Sequence, residues 1–264
     1  MEEALETPVH MIDMTWPEVQ KAIDDNKILI FSAGTVEQHG PHLPLGVDTY
    51  LPVAIATRVA EKVDAVVAPP TNYGYKSLLR SGGGPHFVGS IGLRGTTFIH
   101  LIKDIMEEFI EHGWRRFVVL DWHLENVPFV YEGVDEAIRT CGHADELKVV
   151  KIDNPNGLGM QDKPEVMKLL FGDDFPGWAV EHAAIWETSG MMAAFPNLVR
   201  KDKIIDGRPP EPFAYDILPA PVDGAPKSGI FWKASLASEE KGNLILDAVT
   251  DAIVKVIEKE FCPK

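Results

Sequence analysis

Two short segments of this chain mirror each other. Glu37-Gln38-His39 follows the apolar run 27–33, and His123-Leu124-Glu125 follows the run 116–121. In an extended segment side chains alternate faces, so residues two apart point the same way. Each pair can therefore aim an imidazole and a carboxylate into one cavity. Asp48, nine residues after His39 in LPLGVDTY, can supply a fifth ligand. Five nitrogen and oxygen donors without a thiolate suit zinc or manganese, and they exceed what one open catalytic site needs. Two divalent ions are expected, and three carboxylates offset three of their four positive charges. A bridging hydroxide would complete neutrality and is the nucleophile of two-metal hydrolases.

An isolated His-x-Glu at a strand end is ordinarily a surface ion pair; two mirrored pairs and an aspartate shift the balance toward a metal site. Of nine histidines, His10, His100, His112 and His143 fall in helical or terminal contexts and read as structural, while His42, close to the first motif, is left open. A third segment, 177–189, combines Trp178, Glu181, His182, Trp186 and Glu187 where a helix starts. His182 could move protons there; the alternative is an acidic first turn favoured by the helix dipole. Ser81-Gly82-Gly83-Gly84-Pro85-His86-Phe87 lacks the Gly-Lys-Ser/Thr ending of a phosphate loop. It reads as backbone approaching a small ligand closely, or as a tight turn.

The elements that must position these residues follow from periodicity. Segments 27–33, 64–69, 116–121 and 147–152 are short apolar runs that read as buried strands. Helical spacing occupies 50–62, 97–112 and 128–140, the second opening on Thr96 and Thr97 as cap candidates and stopping at Gly113. Residues 236–260 close the chain as an amphipathic helix. Strand alternating with helix predicts an α/β fold with a mostly parallel sheet covered on both faces, and functional residues just beyond the strand ends. Pro and Gly are dense at 69–91 and 207–229, which predicts long ordered loops.

The chain has 264 residues, 45% of them hydrophobic, and a formal net charge of −15, enough for one large domain or two small ones. With 40 acidic residues against 25 basic ones, the surface should repel nucleic acid. Cys141 and Cys262 form no CxxC and imply neither a disulfide framework nor a thiolate zinc site. Residues 1–16 lack a signal-peptide pattern and no apolar run is long enough to span a bilayer, so a cytoplasmic protein without membrane partners is expected.

Taken together, Gly34-Thr35-Val36-Glu37-Gln38-His39-Gly40-Pro41-His42, Asp48, Ser81-Gly82-Gly83-Gly84-x-His86-Phe87, His123-x-Glu125-Asn126 and Glu181-His182-x4-Glu187-Thr188-Ser189 resemble the creatininase family, in its order and spacing, from about Trp16 to the C-terminal helix. The resemblance implies a single three-layer α/β/α domain over 1–264, commonly assembled as a hexamer. It also implies two divalent ions per subunit, zinc or manganese. By matching position Glu37 and His123 would bind one ion, His39 and Glu125 the other, and Asp48 would bridge them. His182 would shuttle the proton, with Glu187 beside it among the catalytic and substrate-contacting groups. Ser81, Trp178 and Glu187 match substrate contacts. Leu124 stands where creatinine-hydrolysing members have tyrosine, Ala179 where they have aspartate, and 153–157 replaces a lid tryptophan.

These differences leave the ligands alone and alter the pocket, since buried recognition groups discriminate strongly between analogues. The resemblance implies a hydrolase that opens a small cyclic amide, creatinine or a related ring. Its alternatives are carbon–carbon ring opening of a keto-inositol, with Asn156 meeting hydroxyls, or deformylation of a formamide. A metal-binding scaffold without catalysis is disfavoured because His182 and all five ligands are present.

Overall fold

The computed structural model describes residues 8–153, 158, 160, 163–173, 175, 177–208 and 215–262. Four strands, β1 (Ile28–Ala33), β2 (Ala65–Val67), β3 (Arg116–Asp121) and β4 (Lys148–Asp153), pair in parallel in the order β2-β1-β3-β4. All six positions of β1 are buried, as a strand covered on both faces requires. Its side chains alternate between two cores. Leu29, Phe31 and Ala33 join Phe98, Ile102 and Phe117, while Ile28 and Ile30 join Leu51, Ile55 and Ile253.

Helices α1 (Trp16–Asp24), α3 (Gly95–Glu111) and α4 (Val127–Thr140) cover one face of the sheet. The other carries α2 (Val47–Ala60), α5 (Pro164–Phe171), α6 (Ile185–Ala194) and α7 (Glu239–Phe261). The fold is α/β, a parallel sheet between two helical layers. From β1 the chain crosses to β2 on one side and later returns to β3 on the other, so the crevice beyond the ends of β1 and β3 is the switch point where ligands bind in such sheets.

Several boundaries differ from the periodicity reading. Helix α2 begins at Val47, so Asp48 lies in its first turn and not in a loop. Helix α3 begins at Gly95 with Arg94 as its N-cap and no side-chain cap, which puts Thr96 and Thr97 inside the helix. Its start is set by packing: a Cβ on Gly95 would stand 2.4 Å from the Phe129 ring. Helices α1 and α5 lie outside the sequence expectations, although Thr15 and Glu18 carried an N-terminal signature and the Thr15 N–H donates to Glu18 Oε2 at 2.6 Å. The C-terminal helix is capped by Ser238, whose Oγ accepts from the Lys241 N–H.

The 69–91 segment is ordered against the sheet edge by isolated bridges, Ala33 with Thr71 and Val36 with Ile91. Asn126, fully buried, fastens it: its Oδ1 accepts from Tyr75 N–H at 2.7 Å and its Nδ2 donates to Gly34 O at 3.1 Å. Residues 209–214 of the second Pro/Gly-rich loop, and Asn156 with most of 153–162, lie outside the described residues.

Candidate metal centre

The site forms where four segments meet beyond the sheet. Glu37 and His39 follow β1, His123 follows β3, Asp48 sits in the first turn of α2, and Glu187 in the first turn of α6. Two helix N-termini thus present carboxylates, a placement their dipoles favour. Gly34 permits the approach of α2, because a Cβ there would stand 2.5 Å from Asp48 O. All five of these residues are at most 5% exposed.

Two sets of ligand atoms share Asp48, and the members of each lie within 4.8 Å of one another: Glu37, Asp48 and His123, and then His39, Asp48 and Glu187. His123 Nδ1 is 3.3 Å from Glu37 Oε1 and 3.6 Å from Asp48 Oδ2. His39 Nε2 is 3.6 Å from both Asp48 Oδ1 and Glu187 Oε1. Ligand atoms around a tetrahedral ion with bonds of about 2.0–2.2 Å stand roughly 3.4 Å apart. His39 Nδ1 donates to Glu37 O at 3.1 Å, which turns Nε2 toward the carboxylates. Glu37 Oε2, His39 Nε2 and Asp48 Oδ2 are buried without a hydrogen-bond partner among the described residues. Buried polar atoms left this way fit donors waiting for a cation.

The electrostatics agree. Burial opposes charge on Glu37, yet the facing His123 and His182 hold its carboxyl below the ordinary value. Burial likewise opposes charge on His39, but Glu187 and Asp48 raise its pKa well above the usual imidazole value. Glu125 and Glu37 do the same for His123 against its burial. Without a metal, the imidazoles take protons to balance the carboxylates, so binding a divalent ion would expel them.

The mirrored motifs deliver unequally. After β1 both Glu37 and His39 contribute atoms to the ligand sets. After β3 the backbone is extended only at His123, and Leu124–Asn126 form a 3-10 turn. Glu125 therefore leaves the face of His123's Nδ1. Its Oε1 accepts from Leu78 N–H at 2.9 Å and from Ser81 Oγ, and its Oε2 stands 3.3 Å from His123 Nε2, behind the imidazole. Glu187, which the resemblance placed among the catalytic and substrate contacts, stands 3.6 Å from His39 Nε2, the imidazole that the resemblance paired with Glu125. Glu187 Oε2 accepts from Ala183 N–H at 2.6 Å. Ala183 takes a left-handed φ of 54° between His182 and the helix, a strain that buried active-site turns support.

His182 belongs to a third such set, with Glu37 and His39, and its Nδ1 stands 3.7 Å from Glu37 Oε1. Ser81, Trp122, Leu124, Trp178 and Glu181 close the cavity around the ligand atoms. Trp178 is braced edge-on by Trp186, ring centroids 5.3 Å apart, while Leu124 is 44% exposed at the mouth. Glu181 and Gln38 carried no role in the sequence reading. Glu181 Oε1 accepts from Trp186 N–H at 2.8 Å and its Oε2 has no partner; burial, then Glu187, raise its pKa well above the ordinary value.

Comparison with known proteins follows the same lines. The family model for creatininase, creatinine amidohydrolase, matches residues 12–257. The creatinine amidohydrolase of Pseudomonas putida is 38% identical over 255 residues, 95% of this chain and 96% of that one. The 3-dehydro-scyllo-inosose hydrolase of Thermotoga maritima is 27% identical, over 95% of this chain and 83% of that one. A solved structure described as creatininase Mn superposes with a TM-score of 0.92 at 37% identity, covering 97% of this chain and all of that one. A mutant creatininase of Zn-Zn type gives the same score, identity and coverage.

Proposed function

The chain belongs to the creatininase family and is a hydrolase of that type; from that premise we propose that it opens a small cyclic amide, creatinine or a related ring, at a centre of two divalent ions. Glu37, Asp48 and His123 would hold one ion, and His39, Asp48 and Glu187 the other. The observation that carries this reading is the pair of ligand sets sharing Asp48, with buried donor atoms that have no hydrogen-bond partner among the described residues. Zinc or manganese bound there would polarise the carbonyl and activate the attacking water. Glu125 would hold the His123 ring from behind and carry its orientation to Ser81.

His182 Nδ1 would take the proton of the attacking water and return it to the leaving nitrogen. Trp178 would stack on the flat ring, and Ser81 would meet its polar edge. Leu124 enlarges the mouth relative to the tyrosine of the family pattern, which favours a related ring over creatinine itself. Carbon–carbon ring opening of a keto-inositol is the weaker reading, supported by the Thermotoga likeness alone.

The test is turnover of creatinine, other small cyclic amides, a formamide and keto-inositols by metal-loaded protein, against a chelated control. We expect metal-dependent amide opening. Keto-inositol consumption with no amide turned over would overturn the amide assignment. The same preparation, weighed by light scattering, should exceed the mass of one chain if it is a homo-oligomer; a single-chain mass would remove that expectation.

A further inference from the structure

Gln38 lies between two ligand candidates and meets neither ion set; its side chain is instead the junction of three segments around His182. Its Oε1 accepts from Gly40 N–H at 2.9 Å. Its Nε2 lies 3.0 Å from Gly82 O and 2.8 Å from Gly229 O, and 2.9 Å from His182 Nε2. A primary amide has two hydrogens for these three neighbours. The two carbonyls can only accept, so both hydrogens go to them, and the Gly40 N–H excludes the flipped amide. The His182 Nε2 therefore receives no hydrogen from Gln38. It has a second neighbour, the Gln38 backbone carbonyl, also at 2.9 Å, which accepts from it. His182 thus keeps its Nε2 proton, and in the neutral imidazole the bare nitrogen is Nδ1, which faces Glu37 at 3.7 Å.

The packing leaves this arrangement no slack. A Cβ on Gly229 would stand 1.8 Å from Gln38 Oε1, and Phe231 N–H donates to His182 O at 3.1 Å while its ring lies edge-on to the imidazole. We propose that Gln38 is the positioning residue of the site: by pinning the Gly82 and Gly229 carbonyls on either side of His182, it holds its own carbonyl on Nε2 and so makes Nδ1 the nitrogen that moves the proton. Because Gly82 adjoins Ser81, the same amide ties the ring-contacting loop to the proton carrier. The inference rests on the hydrolase reading for its chemistry, but its geometry stands independently.

The experiment has two parts. Nitrogen NMR of histidine-labelled, metal-loaded protein, with His182 assigned by comparison with His182→Gln, should show the Nε2–H form; an Nδ1–H form overturns the proposal whatever substrate the enzyme takes. Gln38→Met keeps the length and removes the hydrogen bonds. It should lower kcat by about ten- to a hundredfold, the lower range of what a positioned proton carrier contributes. KM should stay within about threefold, the metal content should be unchanged, and the His182 signal should move toward a mixture of forms. Wild-type kcat in Gln38→Met, or a loss confined to KM, would also overturn it. If no cyclic amide is turned over, the function assigned above fails, and the labelled spectrum still decides this one.

Discussion

Glu37-Gln38-His39 and His123-Leu124-Glu125 leave neighbouring parallel strands and carry the same two charged types in opposite order. After β1 the chain runs on without helical structure, and both outer residues join the ligand sets while the middle one, Gln38, is buried among other partners. After β3 it turns at once toward α4, and only His123 reaches the ligand cluster while Leu124 faces solvent. Spacing of two delivers two ligands only where the backbone stays extended. Beside His39 the nearby carboxylate comes instead from α6, as Glu187.

The largest effect should come from the residue that both ligand sets share. Asp48→Asn keeps the shape of the side chain and removes its charge. We expect metal analysis to find both ions lost and turnover to fall by more than about a thousandfold, the order that goes with several kcal/mol of metal-derived stabilisation. Retention of two ions would break the shared-ligand reading.

A smaller and sharper contrast lies between the two glutamates. Glu187→Gln should lose one ion per chain. Glu125→Gln should keep both and slow turnover by about 10–100-fold, as expected for a group that orients a ligand from behind. The reverse pattern, an ion lost with Glu125 and both kept without Glu187, would restore the pairing read from the mirrored motif.

The smallest effect concerns His42, the histidine left open by the sequence. It is buried with Nε2 2.8 Å from Thr188 Oγ1, and burial, then the charge of His39, push its pKa down to about 4. Between the ordinary 6.5 and 4, the unfolded chain takes up a proton that the folded chain refuses, so this site's stabilisation is lost as pH falls. His42→Gln retains a partner for Thr188 without titrating. Its Tm should fall less than that of the wild type between pH 7 and 5, by about 2–4 °C for each kcal/mol removed. Equal slopes would place the acid sensitivity elsewhere, in the ligand cluster itself.

Much of the scaffold was legible because buried parallel strands announce themselves as apolar runs, and all four were found to within about two residues. Helices α2, α3, α4 and α7 were found by the same means. Helix starts fared worse where packing sets them, as at Gly95 against Phe129, or where a carboxylate sits in the first turn, as at Asp48. Helix α1 was missed although Thr15-Trp16-Pro17-Glu18 carried its capping signature.

Residue types and their order along the chain determined that imidazoles and carboxylates, without thiolates, would gather at one edge of a parallel sheet, a donor set that suits zinc or manganese. Local spacing carries that much because strands and the loops after them are set by nearest neighbours. Which carboxylate faces which imidazole was decided only by the tertiary structure. Glu187 is 148 residues from His39, and nothing local brings them together. A 3-10 turn after His123 and the strained bend at Ala183, whose N–H holds the Glu187 carboxylate, set the pairing through contacts that no periodicity encodes.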